Sequence, residues 1–154
     1  MARMRGGEGV VRVLSEIARQ VSRPATLRVG FLENATYPDG TPVALVAAVQ
    51  EFGSPVNGIP PRPFFRNMIA AKQDEWGPAI ADLIVDNDYD MTATLEVAGQ
   101  AIAGQLRQSI IDTNAPPLAQ STVDRKGFDK PLVDTGHMLN SVDSQVVPTR
   151  IRNS

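Results

Sequence analysis

Cysteine is absent from this sequence of 154 residues, so the chain can form no disulfide, thiolate metal site or cysteine nucleophile. A chain of this length can nevertheless bury a sufficient core as one domain. Aromatic residues are also scarce, with one Trp, two Tyr and five Phe. Because alanine and valine are frequent instead, we expect a core of small aliphatic side chains on closely packed helices.

The sequence also lacks a basic excess and any long apolar run. Its formal net charge is −2, whereas a dedicated nucleic-acid-binding protein usually carries a basic stripe. No apolar run approaches the roughly 20 residues that a membrane span requires. The first residues, MARMRGGEGVV, lack the hydrophobic core and cleavage site of a secretory signal. We therefore expect a soluble protein that is not exported by that route.

Hydrophobic periodicity predicts a mixture of helices and strands in a single domain spanning 1–154. Apolar residues predict helices in four stretches, which are 9–22, 42–52, 64–84 and 91–112. The polar stretch 118–126 is predicted to form one short helical turn. Alternation with period two predicts strands at 25–32 and, more weakly, at 142–147. Pro38-Asp39-Gly40 predicts a turn, and Gly77-Pro78 predicts a kink or a restart in the third helix. We expect flexible ends at 1–8 and 148–154.

The most distinctive stretch, Thr41 to Phe65, joins an apolar helix to a proline-rich arm. We expect Thr41 to cap the helix, Pro42 to occupy its first turn and Gly53 to end it. The helix has almost no polar face. It must therefore be covered by its own domain or by a neighbour.

The arm that follows is stiff because its prolines fix φ and bias the preceding residues toward extended geometry. A stiff arm loses little entropy when it docks. It presents Arg62, Phe64 and Phe65, whose residue types are enriched at interface hot spots. The alternative is a solvent-facing loop whose phenylalanines begin the next helix and face the core.

One motif suggests catalysis: Leu132-Val133-Asp134-Thr135-Gly136 has the form of an aspartic protease active site. Two such aspartates, one from each subunit of a dimer, would share a proton and activate water. The chain after Gly136 is too short for the flap and the inner strands of such an enzyme. The following Met138 to Ser141 also favours a helix, with Asp134 or Thr135 as its N-cap. A protease that uses Asp134 is therefore the remote alternative.

Other chemical motifs are incomplete. The acidic run Asp86 to Asp90 lacks the central glycine and the distal glutamate of a calcium loop. His137 is the only histidine, and no oxyanion-hole motif accompanies it. The glycines at 6–9 are followed by no lysine-serine or lysine-threonine pair, as a phosphate-binding loop requires. We therefore expect no metal, no cofactor and no enzymatic activity.

Three segments, in this order, resemble tailed-bacteriophage neck proteins of the tail-completion or head–tail connector group. They are VGFLENATYPDGTPVALVAAVQEFG, IPPRPFFRNMI and APPLAQSTVDRKGFDKPLVDTGHMLNSV. The resemblance covers about 25–147. It depends on the order and spacing of Glu51-Phe52-Gly53, Pro61-Arg62-Pro63-Phe64, Ser121-Thr122, Arg125-Lys126-Gly127 and Lys130-Pro131-Leu132-Val133-Asp134-Thr135-Gly136.

This resemblance implies an α+β fold in which a small antiparallel sheet packs against several helices. It also implies a non-enzymatic structural protein of the virion, made in the bacterial cytoplasm, that forms a homo-oligomeric ring at the head–tail junction. The ring would be a hexamer. Its partners would be neighbouring neck and tail proteins, such as an adaptor or stopper, a tail terminator or the tail tube. Genomic DNA would pass close by, and no membrane would be involved.

A tail terminator or another tail-assembly protein is the alternative within the same structural class. Compared with the family pattern, the chain is short after its last strand, so we expect a final hairpin to be missing. In a ring, one patch meets a different patch on the neighbour. We expect Arg62, Phe64 and Phe65 to dock near Leu132 to Met138 of that neighbour. The full set of expected interface residues is Phe52, Arg62, Phe64, Phe65, Leu132, Asp134, Thr135 and Met138.

Overall fold

The computed structural model describes residues 7–113, apart from Ser22 and Pro24, and residues 135–149. The helices and strands within these ranges are α1 Gly7–Val21, β1 Ala25–Phe31, α2 Val43–Phe52, α3 Phe64–Asp86, α4 Met91–Thr113, α5 Thr135–Asn140 and β2 Val142–Pro148. A short 3-10 turn, Pro55–Asn57, lies between α2 and α3. The predicted α+β fold is confirmed, while the helical turn predicted at 118–126 lies outside the described residues.

The sheet in the described part of the chain has two strands, which pair antiparallel from Ala25 opposite Pro148 to Phe31 opposite Val142. Alternate residues of β1 pack against the hydrophobic core, namely Leu27, Val29 and Phe31. The intervening Thr26 and Arg28 are exposed. This alternation is the physical reason for a sheet with one buried face, and it confirms both predicted strands.

Helix α4 lies at the centre of the fold, where it packs against α3, both strands and α5. Its buried positions follow the predicted stripe and are Thr94, Leu95, Ala98, Gly99, Ile102, Ala103, Leu106 and Ile110. A Cβ at Gly99 would lie 2.7 Å from Leu27 Cδ1 and 2.8 Å from Ser144 Oγ. At Gly99 the closely packed partner of α4 is therefore the two-stranded sheet.

Helix α3 runs from Phe64 to Asp86 as one element with Pro78 inside it. Of the two alternatives predicted at Gly77-Pro78, the restart is therefore excluded, and the kink stays a prediction. Trp76 packs against the core, and its Nε1–H donates to Gln105 Oε1 at 2.8 Å, as expected for a buried indole. The turn after α3 leads into α4, where Asp90 Oδ1 accepts from the Ala93 amide at 3.1 Å. At least one carboxylate of the acidic run therefore serves as a helix cap.

Helix α1 confirms the predicted amphipathic helix, but it begins at Gly7, inside the segment expected to be flexible. None of its residues is buried. Several of its apolar side chains are largely exposed, including Val10 (52%), Leu14 (59%) and Val21 (40%). Within the part of the chain that the structure describes, the apolar face of α1 is thus not used in the hydrophobic core.

Candidate interaction surface at the junction of α2 and α3

The segment from Gln50 to Arg66, which we term the α2–α3 junction, is a compact turn. Ser54 and Ile59 form an antiparallel bridge, with each backbone N–H donating to the other residue's carbonyl at 2.8 and 3.0 Å. Gly58 closes the loop in the left-handed conformation, with φ 65°. The proline-rich arm therefore folds back on itself.

Gly53 allows the arm to pass directly over the end of α2. Its φ is 74°, a value that favours glycine. A Cβ at this position would lie 2.8 Å from both Ile59 O and Pro61 N. The Arg62 amide then donates to Gln50 O at 2.7 Å. The predicted helix end at Gly53 is confirmed, and close backbone approach adds a second requirement for glycine.

Glu51 caps the N-terminus of α3. Its carboxylate accepts from the Phe65 amide (2.9 Å), the Arg66 amide (3.1 Å) and Arg66 Nε (2.8 Å). Pro63 occupies the N-cap position and provides no side-chain hydrogen bond. Glu51 is only 5% exposed, so its charge is buried against the free amides and the positive end of the helix dipole.

Sequence reasoning missed this cap. One signal was present, because Glu51 lies in the last turn of α2, where the negative end of the helix dipole disfavours an acidic residue. A carboxylate at such a position needs a partner elsewhere. The partner, 14 positions further along the chain, becomes adjacent only when the arm folds back.

The start of α2 differs from the prediction. Pro42, with φ −63° and ψ 132°, is the N-cap residue and not part of the first turn. Thr41 therefore precedes the N-cap position and does not occupy it, contrary to the prediction. Instead, the Thr41 amide donates to Asp39 Oδ1 at 2.9 Å, and this contact holds the pKa of Asp39 below its ordinary value. The turn at 38–40 is confirmed by the hydrogen bond from the Gly40 amide to Tyr37 O.

The outer face of α2 is apolar and open. Leu45 is 55% exposed and Phe52 65% exposed, while Arg66 lies over the Phe52 ring with its guanidinium carbon 4.9 Å from the centroid. A cavity of about 290 Å³ adjoins this face, and we term it the α2 cavity. Its lining residues are Phe31, Ala44, Ala47, Ala48, Glu51, Phe52, Phe64, Phe65 and Arg66.

Two of the expected interface residues belong to the core. Phe64 is 1% exposed and packs edge-to-face on Phe31, with ring centroids 6.2 Å apart. Met138 is fully buried in the same hydrophobic cluster. The expectation that these two side chains contact a partner is corrected, because both are buried inside the chain.

The other predicted interface residues are divided between two places. Phe52 and the half-buried Phe65 line the α2 cavity. Arg62 lines a separate groove of about 800 Å³ between the arm, α3 and α4. Leu132 and Asp134 lie outside the described residues. Thr135 begins α5, and its side chain is likewise outside them.

The residues considered for catalysis have structural contacts. His137 Nε2 donates to Thr36 O at 2.6 Å, and its ring stacks on Tyr37 with centroids 4.9 Å apart. The Ser141 hydroxyl donates to His137 O at 2.9 Å. The chain from Thr135 forms the helix α5, as expected from its sequence, instead of the strand of the protease hypothesis.

Within 7–113 and 135–149, no three His, Cys, Asp or Glu side chains lie close enough together to hold a metal ion. Among the helices described there, none is both long and apolar enough to cross a bilayer. The chain matches no protein-family model, no curated protein and no solved structure. A functional assignment therefore depends on the motif order in the sequence and on the geometry of the described residues.

Proposed function

We propose that the chain is a structural protein of a tailed-bacteriophage virion that assembles as a ring at the head–tail junction. The observation that carries this proposal is the construction of the α2–α3 junction. Glu51, Gly53 and Arg62, on which the family resemblance depends, each make a contact that holds the junction together. The carboxylate of Glu51 and the missing side chain of Gly53 are specific to their residue types, whereas Arg62 contributes its backbone amide.

The surface properties of the junction also favour an assembly role. The buried cap and the backbone bridge hold Phe52 at a fixed, solvent-facing position. Exposed aromatic side chains on a rigid element lose little entropy on docking and are enriched at interfaces. An apolar face that the chain's own fold leaves open is typical of a protein–protein contact site.

A second open apolar face lies on α1, on a different part of the chain. Two dissimilar patches suit a heterologous contact, in which one patch meets the other on the next subunit. Such contacts generate a closed ring when repeating the rotation between neighbouring subunits returns to the first subunit. In the proposed virion, the ring is a hexamer that contacts the neighbouring neck and tail proteins.

The proposal is tested by placing a stop codon early in this gene in the native phage or prophage and imaging the particles by electron microscopy. DNA-filled heads that accumulate apart from tails are the expected result. Tails lacking a completed end, with heads otherwise normal, would move the protein to the tail-terminator level. Normal, joined particles would overturn the proposal, and Asp134-dependent proteolysis by the purified protein would then become the next test.

A further inference from the structure

The apolar face of α1 is broad. Val10, Leu14, Ile17 and Val21 fall on one side of the helix, and Val13 and Ala18 widen this side, so we term these six residues the α1 stripe. A coiled-coil seam between two helices would need only the narrow a/d positions. The width of the α1 stripe suits burial in a concave surface with walls on both sides.

The α2 cavity is a concave surface of matching character. Its lining combines the small side chains of Ala44, Ala47 and Ala48 with the rings of Phe52 and Phe65. Alanines let the backbone of a docked helix approach closely, while the rings flank its apolar side chains. This is the helix-in-groove arrangement by which amphipathic helices bind their partners.

The charges of the two surfaces permit the same contact. In the α2 cavity, the one acidic and the one basic residue, Glu51 and Arg66, already pair with each other at 2.8 Å. On α1, Arg12, Glu16 and Arg19 lie on the side opposite the stripe. Docking would therefore bury no unpaired charge, as is typical of the core of an interface.

We propose that the α1 stripe of one copy docks into the α2 cavity of the next copy. This inference rests on the proposed function in so far as repetition of the contact would close the ring. A helix of 15 residues is about 22 Å long and covers less surface than a standard stable interface. The single contact is consequently weak, and closing the ring, which engages both patches of every subunit, makes it persistent.

The absence of cysteine allows a direct test by disulfide crosslinking of the full chain. Ala18→Cys places a thiol in the α1 stripe and Ala48→Cys places one in the α2 cavity. The two variants are mixed at high concentration, one with a removable tag so that mixed dimers have a distinct mass, and then oxidised. The matched control replaces Ala18→Cys by Arg19→Cys, which lies on the charged side of the same helical turn.

The expected result is a mixed Ala18→Cys with Ala48→Cys dimer that forms about tenfold faster than the control pair, because a specific contact raises the effective thiol concentration. Faster dimers between two Ala18→Cys chains would overturn the proposal in favour of helix pairing. A disulfide within one chain that carries both Ala18→Cys and Ala48→Cys would overturn it in favour of docking within the same chain. Equal rates for the mixed pair and the control would also overturn it. None of these outcomes decides whether particles need the protein, which the stop-codon experiment tests separately.

Discussion

Helices α1 and α4 each carry an apolar stripe at helical spacing, but the structure buries only the stripe of α4. The stripe of α4 is buried against the sheet and α3, with Leu106 and Ile110 fully inaccessible. The stripe of α1 leaves Leu14 59% exposed. In both helices the apolar spacing indicates that one face must be buried. The spacing does not indicate which element buries that face. The comparison therefore separates apolar side chains that stabilise the fold from those that the described part of the chain leaves exposed.

The largest contrast is expected between two phenylalanines of the α2–α3 junction. Phe64→Ala should lower the free energy of unfolding by about 3–5 kcal/mol, because it empties a buried aromatic site. Phe52→Ala should change it by less than about 1 kcal/mol, because only an exposed ring stacked on Arg66 is removed. Urea denaturation of both variants measures the difference. Equal losses would mean that Phe52 belongs to the core.

This comparison also shows how much the sequence could predict. The four long helices α1 to α4, both strands, the turn at 38–40 and the stripe of α4 follow from spacing, because short-range pattern decides them. The roles of Phe64 and Phe65 do not. The two rings are adjacent in sequence and identical in chemistry. Only the direction in which α3 leaves the arm places the Phe64 ring in the core.

The candidate site was predicted only in part for a similar reason. Phe52 was expected at an interface and is exposed beside the α2 cavity. The cap formed by Glu51 depends on an arm that returns over α2, and no local pattern encodes that return. At Pro78 the sequence left a kink and a restart open, because a proline removes one helix hydrogen bond in either case, and the structure has one continuous helix there.

A smaller effect is expected from two glycines of α4. Gly99→Ala should destabilise by about 1–3 kcal/mol, because its methyl group would overlap Leu27 and Ser144. Gly104→Ala meets nothing within 4 Å and should stabilise by up to about 1 kcal/mol through helix propensity. Thermal unfolding of the two variants is the measurement. A stable Gly99→Ala protein would contradict the tight packing of α4 on the sheet.

The cap at α3 should contribute a similar or smaller amount. Glu51→Gln removes the charge that faces two backbone amides and Arg66, and should lower the free energy of unfolding by about 1–2 kcal/mol. The matched control is Glu75→Gln, an exposed residue 3.7 Å from Lys72, for which a change below about 0.5 kcal/mol is expected. If chemical denaturation gave equal changes for both, Glu51 would be an ordinary surface residue.

The smallest effect concerns the exposed turn before α2. Because the Thr41 amide lowers the pKa of Asp39, the ionised form is favoured in the folded state. Its stabilising contribution is present above the unfolded pKa and is lost as pH falls through the folded pKa. Titration of the Asp39 carboxyl by NMR should give a pKa below that of the unfolded chain. An elevated pKa would contradict the hydrogen bond to Thr41.

The most direct test of the account compares two sets of exposed apolar residues in the phage that carries the stop codon. One rescuing gene carries Leu45→Ala with Phe52→Ala on the outer face of α2. The control carries Val85→Ala with Ile111→Ala, residues of α3 and α4 that are 58% and 47% exposed and do not line the α2 cavity. Both proteins should fold with near-normal stability. The account predicts unjoined heads and tails with the first gene and infectious particles with the second, and infectious particles from both would contradict it.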